Sequence, residues 1–350
     1  MYFDSAATTP LDPRVKEAMI GVMDVYGNEN SKHCYGFESR KKIDQALGRI
    51  AKVLGVASDQ IFLTYSGTDS NRKTIKAAVR RFGVDNCYCS AVEHSSVLDE
   101  IGQQNWFDPR GSDWDKLITK NPKFLALMQA NSETGAIYEG TKLRENFPKA
   151  LILRDFSQSF AKGIKPDFEN CDFGTFAPQK IYGPKMVGIL YVKNPEMFSE
   201  ISKDSHTKNV FLAEGAAKAF ELWEKEVEQD VIKFKSWQKQ IEECFLKNIS
   251  NIKIHEQGFK RVSGLINIAI KGIRGGELMT ILSSEEEIAI STGSACSSDI
   301  LSPTQVIKYI EKDSIWQFPV RIGLHKFLTD ENIDDFCEIF VHYVEDMRSH

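Results

Sequence analysis

No run of about 18 apolar residues, the minimum for a bilayer-spanning helix, occurs anywhere in the sequence. The N-terminal stretch Met1-Tyr2-Phe3-Asp4-Ser5-Ala6 lacks the basic region and apolar segment of a secretory leader. These absences predict a cytoplasmic protein without membrane contact. Net positive charge is lacking too, since 44 Lys and Arg side chains face 49 Asp and Glu, a balance of -5. No global field draws the chain onto nucleic acid or anionic lipid, so direct nucleic-acid binding is not expected. Cysteine is sparse: seven copies, at 34, 87, 89, 171, 244, 296 and 337, include no CxxC pair. That argues against a disulfide framework and a zinc site, predicts no bound metal, and favours a reducing compartment. With 23 Gly and 11 Pro in 350 residues, and no repeat or low-complexity tract, collagen-like and disordered readings fall away.

What remains is 42% hydrophobic, 27% charged and 11% aromatic, the proportions of a soluble globular protein. The length suggests about two domains, or one large unit with an appendage. Short apolar runs alternate with amphipathic helical stretches, which predicts an α/β fold with a largely parallel sheet. Strands are expected at 60–64, 86–90, 124–129, 150–154, 172–176 and 186–192. Most are apolar throughout, as in a sheet covered on both faces. Helices are expected at 13–23, 37–54, 74–81 and 213–248. Beyond 248 the pieces shorten: strands at 261–270 and 288–291, a helix at 276–285, and a final helix at 330–347 capped by Thr329.

Four segments carry candidate chemistry. Thr64-Tyr65-Ser66-Gly67-Thr68-Asp69-Ser70-Asn71 links a strand to a helix and suits either a phosphate cup or a simple N-cap turn. Leu151-Ile152-Leu153-Arg154-Asp155 ends an apolar strand on an acid, where a sheet's ligand crevice lies, so Asp155 pairs with a protonated ring nitrogen or caps a loop. Gln179-Lys180-Ile181-Tyr182-Gly183-Pro184-Lys185 puts Lys180 on the turn between two buried strands, as an imine-forming amine or a solvated loop lysine. Ser291-Thr292-Gly293-Ser294-Ala295-Cys296-Ser297-Ser298 surrounds a thiol with residues too small to build a core, which reads as an accessible cysteine. Cys244 and Cys337 lie on apolar helix faces and are expected in the core, while Cys87 and Cys89 alternate along a strand.

Taken in order, these segments resemble the pyridoxal-phosphate-dependent cysteine desulfurases of the class V aminotransferase family, in the NifS/IscS group. The resemblance also rests on Tyr2-Phe3-Asp4-Ser5-Ala6-Ala7-Thr8-Thr9-Pro10, Gly27-Asn28-Glu29-Asn30-Ser31-Lys32-His33, Glu93-His94-Ser95-Ser96-Val97, Asn131-Ser132-Glu133-Thr134-Gly135 and Val320-Arg321-Ile322-Gly323-Leu324. It covers essentially the whole chain. It implies fold type I: a large domain over 14–228 with a mostly parallel seven-stranded sheet between helices. A smaller α+β domain, made of 1–13 and 229–350, carries the persulfide cysteine loop.

By the same resemblance, Lys180 is joined to the cofactor pyridoxal 5'-phosphate as an imine, Asp155 pairs with the pyridine nitrogen, and Gln158 bonds the ring hydroxyl. His94 stacks on the ring and serves as acid or base. Gly67, Thr68 and Gln179 belong to the cofactor-binding set. Thr207 completes the phosphate cup of the other subunit, which implies a homodimer. Asn131, Ser132 and Arg321 bind the carboxylate of L-cysteine. Cys296 takes the sulfur as a persulfide, leaving alanine, and passes it to an acceptor protein serving Fe-S clusters, thiolated tRNA or phosphorothioated DNA. The chain departs from the family pattern at Ala177 and Gln179, where Ser and His are usual, at Ser132, where Asn is usual, and at Asp204, where Arg is usual. A selenocysteine lyase or other class V lyase, and a catalytically weak homologue acting as a scaffold, are the alternative readings.

Overall fold

The computed structural model describes residues 1–198, 207–293 and 302–349. They fall into two compact units. One comprises Pro10–Gln129 and Tyr138–Glu226, the other Met1–Thr9, Ala130–Ile137 and Val227–His350.

The first unit is built on a seven-stranded sheet: β1 (Ile61–Thr64), β2 (Cys87–Ser90), β3 (Trp106–Phe107), β4 (Phe124–Ala126), β5 (Leu151–Asp155), β6 (Phe173–Phe176) and β7 (Gly188–Val192), in spatial order β1-β7-β6-β5-β4-β2-β3. Only β7 runs against its neighbours, pairing antiparallel with both β1 and β6. The remaining strands share one direction, so β1, β2, β5 and β6 all end on the same edge. Strands β4, β6 and β7 are buried at every residue, which accounts for their unbroken apolar runs. The two-residue β3 is the one strand of this sheet that the pattern does not announce, being too short to show a period.

The helix expected at 74–81 starts seven residues earlier, spanning Gly67–Phe82. Hydroxyl and amide side chains favour turns over helix interiors, and this hides the true start. Here the Ser66 side chain caps the Asp69 amide at 3.1 Å, and Asp69 reaches back to the Tyr65 amide at 3.0 Å. The first helix of the chain stops at Ile20, ahead of 23, because Gly21 caps it.

The second unit has a three-stranded antiparallel sheet of β8 (Ile252–Ile254), β9 (Leu265–Ile270) and β10 (Val320–Gly323), with β9 central. The long helix Val210–Asn248 contributes its part beyond Glu226 here, and with the helices Gly275–Glu285 and Asp330–Ser349 it builds a core around Phe3, Trp237, Phe245, Phe336 and Phe340. Thr329 Oγ1 accepts from the Asn332 amide at 3.2 Å, capping the last helix. Residues 288–291 form only isolated bridges, Tyr2 with Ala289 and Ser291 with Arg321, in place of the expected strand. Cys337 is buried in this core, but Cys244 is only half-buried. No helix among the described residues is long and apolar enough to cross a membrane.

Candidate active site

Five candidate residues of the first unit follow directly from strand ends. Gly67 and Thr68 form the first turn after β1, His94 follows β2, Asp155 ends β5, and Lys180 closes the short 3-10 turn Pro178–Lys180 after β6. Gln158 lies on the helical turn Ser157–Ala161 and is 3% exposed. Lys180 Nζ stands 3.5 Å from Gln158 Oε1. The opposite end of that amide, Nε2, is buried and has no hydrogen-bond partner among the described residues. A buried N–H left without an acceptor is costly, and this donor is available to a ligand oxygen.

Asp155 is held from two sides. Its Oδ1 accepts from the Ser157 amide at 2.9 Å, and its Oδ2 from Asn71 Nδ2 at 2.9 Å. The same Asn71 nitrogen donates to Ser96 Oγ at 3.0 Å, and Ser96 Oγ lies 2.9 Å from His94 Nδ1. The Ser96 amide also donates to Nδ1, at 3.1 Å, so a neutral His94 carries its proton on Nε2. Burial, reinforced by the Lys180 ammonium, holds the imidazole below its ordinary 6.5, against the pull of Asp155 and Asp99.

Asn71 and Ser96 lie inside motif segments that assign them no role, yet their side chains link Asp155 to His94. The signal for Asn71 is present in the sequence: it stands at four-residue spacing from Gly67 and Ile75, on the helix face that is buried. A polar amide on an inward stripe has a partner to satisfy. Glu93 is a third. Fully enclosed, it accepts at Oε1 from Ser90 Oγ at 2.5 Å and from the Met128 amide at 2.7 Å, and burial pushes it up to about 7.

At the other end of this site the amides of Gly67 and Thr68 point out of a helix N-terminus, where four N–H groups lack helical acceptors. A Cβ on Gly67 would sit 3.4 Å from Ser157 Oγ and 3.4 Å from Ala177 Cβ. Gln179 is half-buried beside Lys180. Thr207 is exposed, and its Oγ1 accepts from Asn28 Nδ2 of the same chain at 3.1 Å. An acid for a ring nitrogen, an amine, an unused buried N–H for a ring hydroxyl and an anion-accepting helix end fit a pyridoxal phosphate. Cys87 and Cys89 take no part. Burial raises both thiols, Cys87 to about 11, the reverse of a reactive thiolate.

The second unit carries its own cluster. Arg321 on β10 is 3% exposed and donates from Nη2 to Asp4 Oδ1 at 2.6 Å and from Nη1 to the Ser132 carbonyl at 3.1 Å. Its Nε is buried without a partner among the described residues. Asn131 turns its Oδ1 to the amides of Glu133 and Thr134, at 2.8 and 2.9 Å, and so shapes the turn that presents the Ser132 carbonyl. Glu133 accepts from Thr304 Oγ1 at 2.5 Å, and burial pushes it up to about 7. Cys296 and Asp204 lie outside the described residues.

The aminotransferase class-V profile matches residues 1–336. The chain belongs to the aminotransferase class-V family. Cysteine desulfurase IscS of Rickettsia bellii (strain OSU 85-389) is 28% identical over 382 residues, covering 99% of this chain and 92% of that one. A cysteine desulfurase of Mus musculus is 27% identical over 382 residues, covering 99% and 82%. Among solved structures, a NifS-like protein superposes with a TM-score of 0.84 at 26% identity over 99% of each chain. A NifS-like protein from Rickettsia africae ESF-5 does so with a TM-score of 0.84 at 25% identity, again over 99% of both. Class V enzymes depend on pyridoxal phosphate, and the seven-stranded, mostly parallel sheet is that of fold type I.

Proposed function

We propose that this class V protein is a cysteine desulfurase that converts L-cysteine and the Cys296 thiol into L-alanine and a Cys296 persulfide. The observation that carries the reading is the arrangement of Lys180, Gln158, Asp155 and His94 around one edge of the first unit's sheet, in a chain whose full length aligns with cysteine desulfurases. Bound pyridoxal phosphate supplies an electron sink for charge developing at the substrate α-carbon. Lys180 Nζ would hold the cofactor and, once the substrate amine has displaced it, would be the free amine that takes up the α-proton. Asp155, fixed by Asn71 and the Ser157 amide, keeps a proton on the ring nitrogen. Gln158 Nε2 donates to the ring hydroxyl. Gly67 and Thr68 amides, with Gln179, receive the phosphate, and Thr207 serves the phosphate of a second copy in a homodimer. His94, whose Nδ1 faces Ser96, would stack on the ring and serve as acid or base toward substrate through Nε2.

Arg321 holds the substrate carboxylate, with Asn131 and Ser132 shaping its surroundings. Cys296 Sγ attacks the substrate sulfur: the S–S bond forms, the Cβ–S bond breaks, and its electron pair is protonated as alanine forms. The persulfide then passes to an acceptor protein. Free thiols throughout the described cysteines suit a reducing, cytoplasmic setting.

The test is alanine formation from L-cysteine by the purified protein, native and Lys180→Ala. Alanine made by the native protein and abolished in the variant supports the reading; equal alanine from both overturns it.

A further inference from the structure

Arg321 does not wait as an isolated cation. Its Nη2 already holds Asp4 at 2.6 Å, and the pair is enclosed, with the arginine side chain 3% and the aspartate 20% exposed. Asp4 is itself firmly placed. Phe3, fully buried and stacked on Phe336 at 4.1 Å, donates its amide to the Ala289 carbonyl at 2.7 Å and accepts from the Gly323 amide at 2.7 Å. Ser5 Oγ donates to the Leu324 carbonyl at 2.6 Å on the following side. The N-terminal segment is thus stitched beside β10, and Asp4 projects from between two anchored residues.

Arg321 is also held independently of Asp4. Its own backbone exchanges hydrogen bonds with Ser291, at 2.6 and 3.1 Å, and Nη1 is fixed on the Ser132 carbonyl. The guanidinium keeps one buried donor in reserve, Nε. From this geometry we infer that Asp4 is the resident counter-ion of Arg321, a positioning residue that weakens the enzyme's grip on the carboxylate of its amino-acid substrate and product. The inference rests on the proposed role of Arg321.

The physical reason is charge. With Asp4 ionised, an arriving carboxylate meets a neutral pair and leaves the enclosed cluster with a net negative charge. Without that charge, the same carboxylate meets a bare guanidinium and completes a neutral pair. Asn at position 4 keeps an oxygen for Nη2 and removes only the charge, so orientation is preserved while the field changes. A tighter grip on alanine also slows its departure, so KM and kcat fall together.

The experiment is calorimetric titration of the holoenzyme with L-alanine and, separately, with cysteamine, an amine lacking the carboxylate. Asp4→Asn is expected to tighten L-alanine by at least threefold and to change cysteamine by less than twofold. Asp4→Ser, which removes the charge by another route, is expected to do the same and serves if the asparagine variant does not fold. Asp4→Glu, which restores the charge, moves the affinity back toward the native value. L-Alanine binding that weakens or stays level in the uncharged variants, or cysteamine shifting by the same factor, overturns the inference. In Arg321→Ala, L-alanine is expected to weaken at least tenfold. If it does not, the carboxylate reading of Arg321 falls first; if it does while Asp4→Asn is silent, only the counter-ion inference falls.

Discussion

Asn71 ties Asp155 to the support of His94, since its one side-chain nitrogen donates to Asp155 Oδ2 at 2.9 Å and to Ser96 Oγ at 3.0 Å. An acid and an imidazole with different tasks are thereby oriented by a single buried amide. Rotation of either side chain breaks a hydrogen bond of this network.

Removing that amide tests the link. Asn71→Ala leaves Asp155 with the Ser157 amide alone, and a lost hydrogen bond to a charged group costs about 1.5–3 kcal/mol. Cofactor affinity is expected to fall by roughly 10- to 100-fold, measured by titrating the cofactor-free protein. A variant that retains cofactor as the native protein does contradicts this role.

A second prediction concerns the phosphate end. Gly188, paired with Thr64 across β7 and β1, has no room for a side chain: an added Cβ would lie 2.3 Å from the Ser66 carbonyl carbon. Ser66 caps the Gly67–Phe82 helix. Gly188→Ala must push the cap away and is expected to cost about 1–3 kcal/mol of stability. It should loosen phosphate binding at the same time, which thermal unfolding and inorganic phosphate inhibition read separately. Native behaviour in both assays counts against the close approach.

How much of this was legible beforehand follows from where each residue sits. Lys180, Asp155, His94 and Gly67 each follow an apolar run, and apolar runs mark strands whose ends share an edge. Their grouping is a matter of chain order. Asn71 and Ser96 are different, because their contacts span 84 and 25 residues and arise only when β1, β2 and β5 lie in one sheet. Asp4 and Arg321 meet across 317 residues through isolated bridges, which leave no periodic trace in sequence. The start of the Gly67–Phe82 helix was hidden by residues that favour turns, and β3 by its length.

The third prediction is a pH dependence. Glu93 stands at about 7 in the folded protein, raised by burial from 4.5. A raised carboxyl lends stability below its unfolded value, and that stability is lost as pH climbs from 4.5 through 7. Glu93→Gln keeps an oxygen for Ser90 and the Met128 amide but cannot ionise. Its stability relative to the native protein should therefore rise with pH across this window, by roughly 3 kcal/mol in all. Denaturant unfolding at pH 4.5, 6 and 8 checks it; a gap that stays constant removes the argument. Glu133 titrates in the same sense but is common to both proteins, so it cancels in the difference.

The most direct test of the desulfurase account is mass spectrometry of the cysteine peptides after a single turnover with L-cysteine. The account predicts one added sulfur on Cys296, alanine in equal amount, and neither product in Lys180→Ala. Alanine formed with no sulfur on Cys296, or with the sulfur on the exposed Cys34, would contradict it.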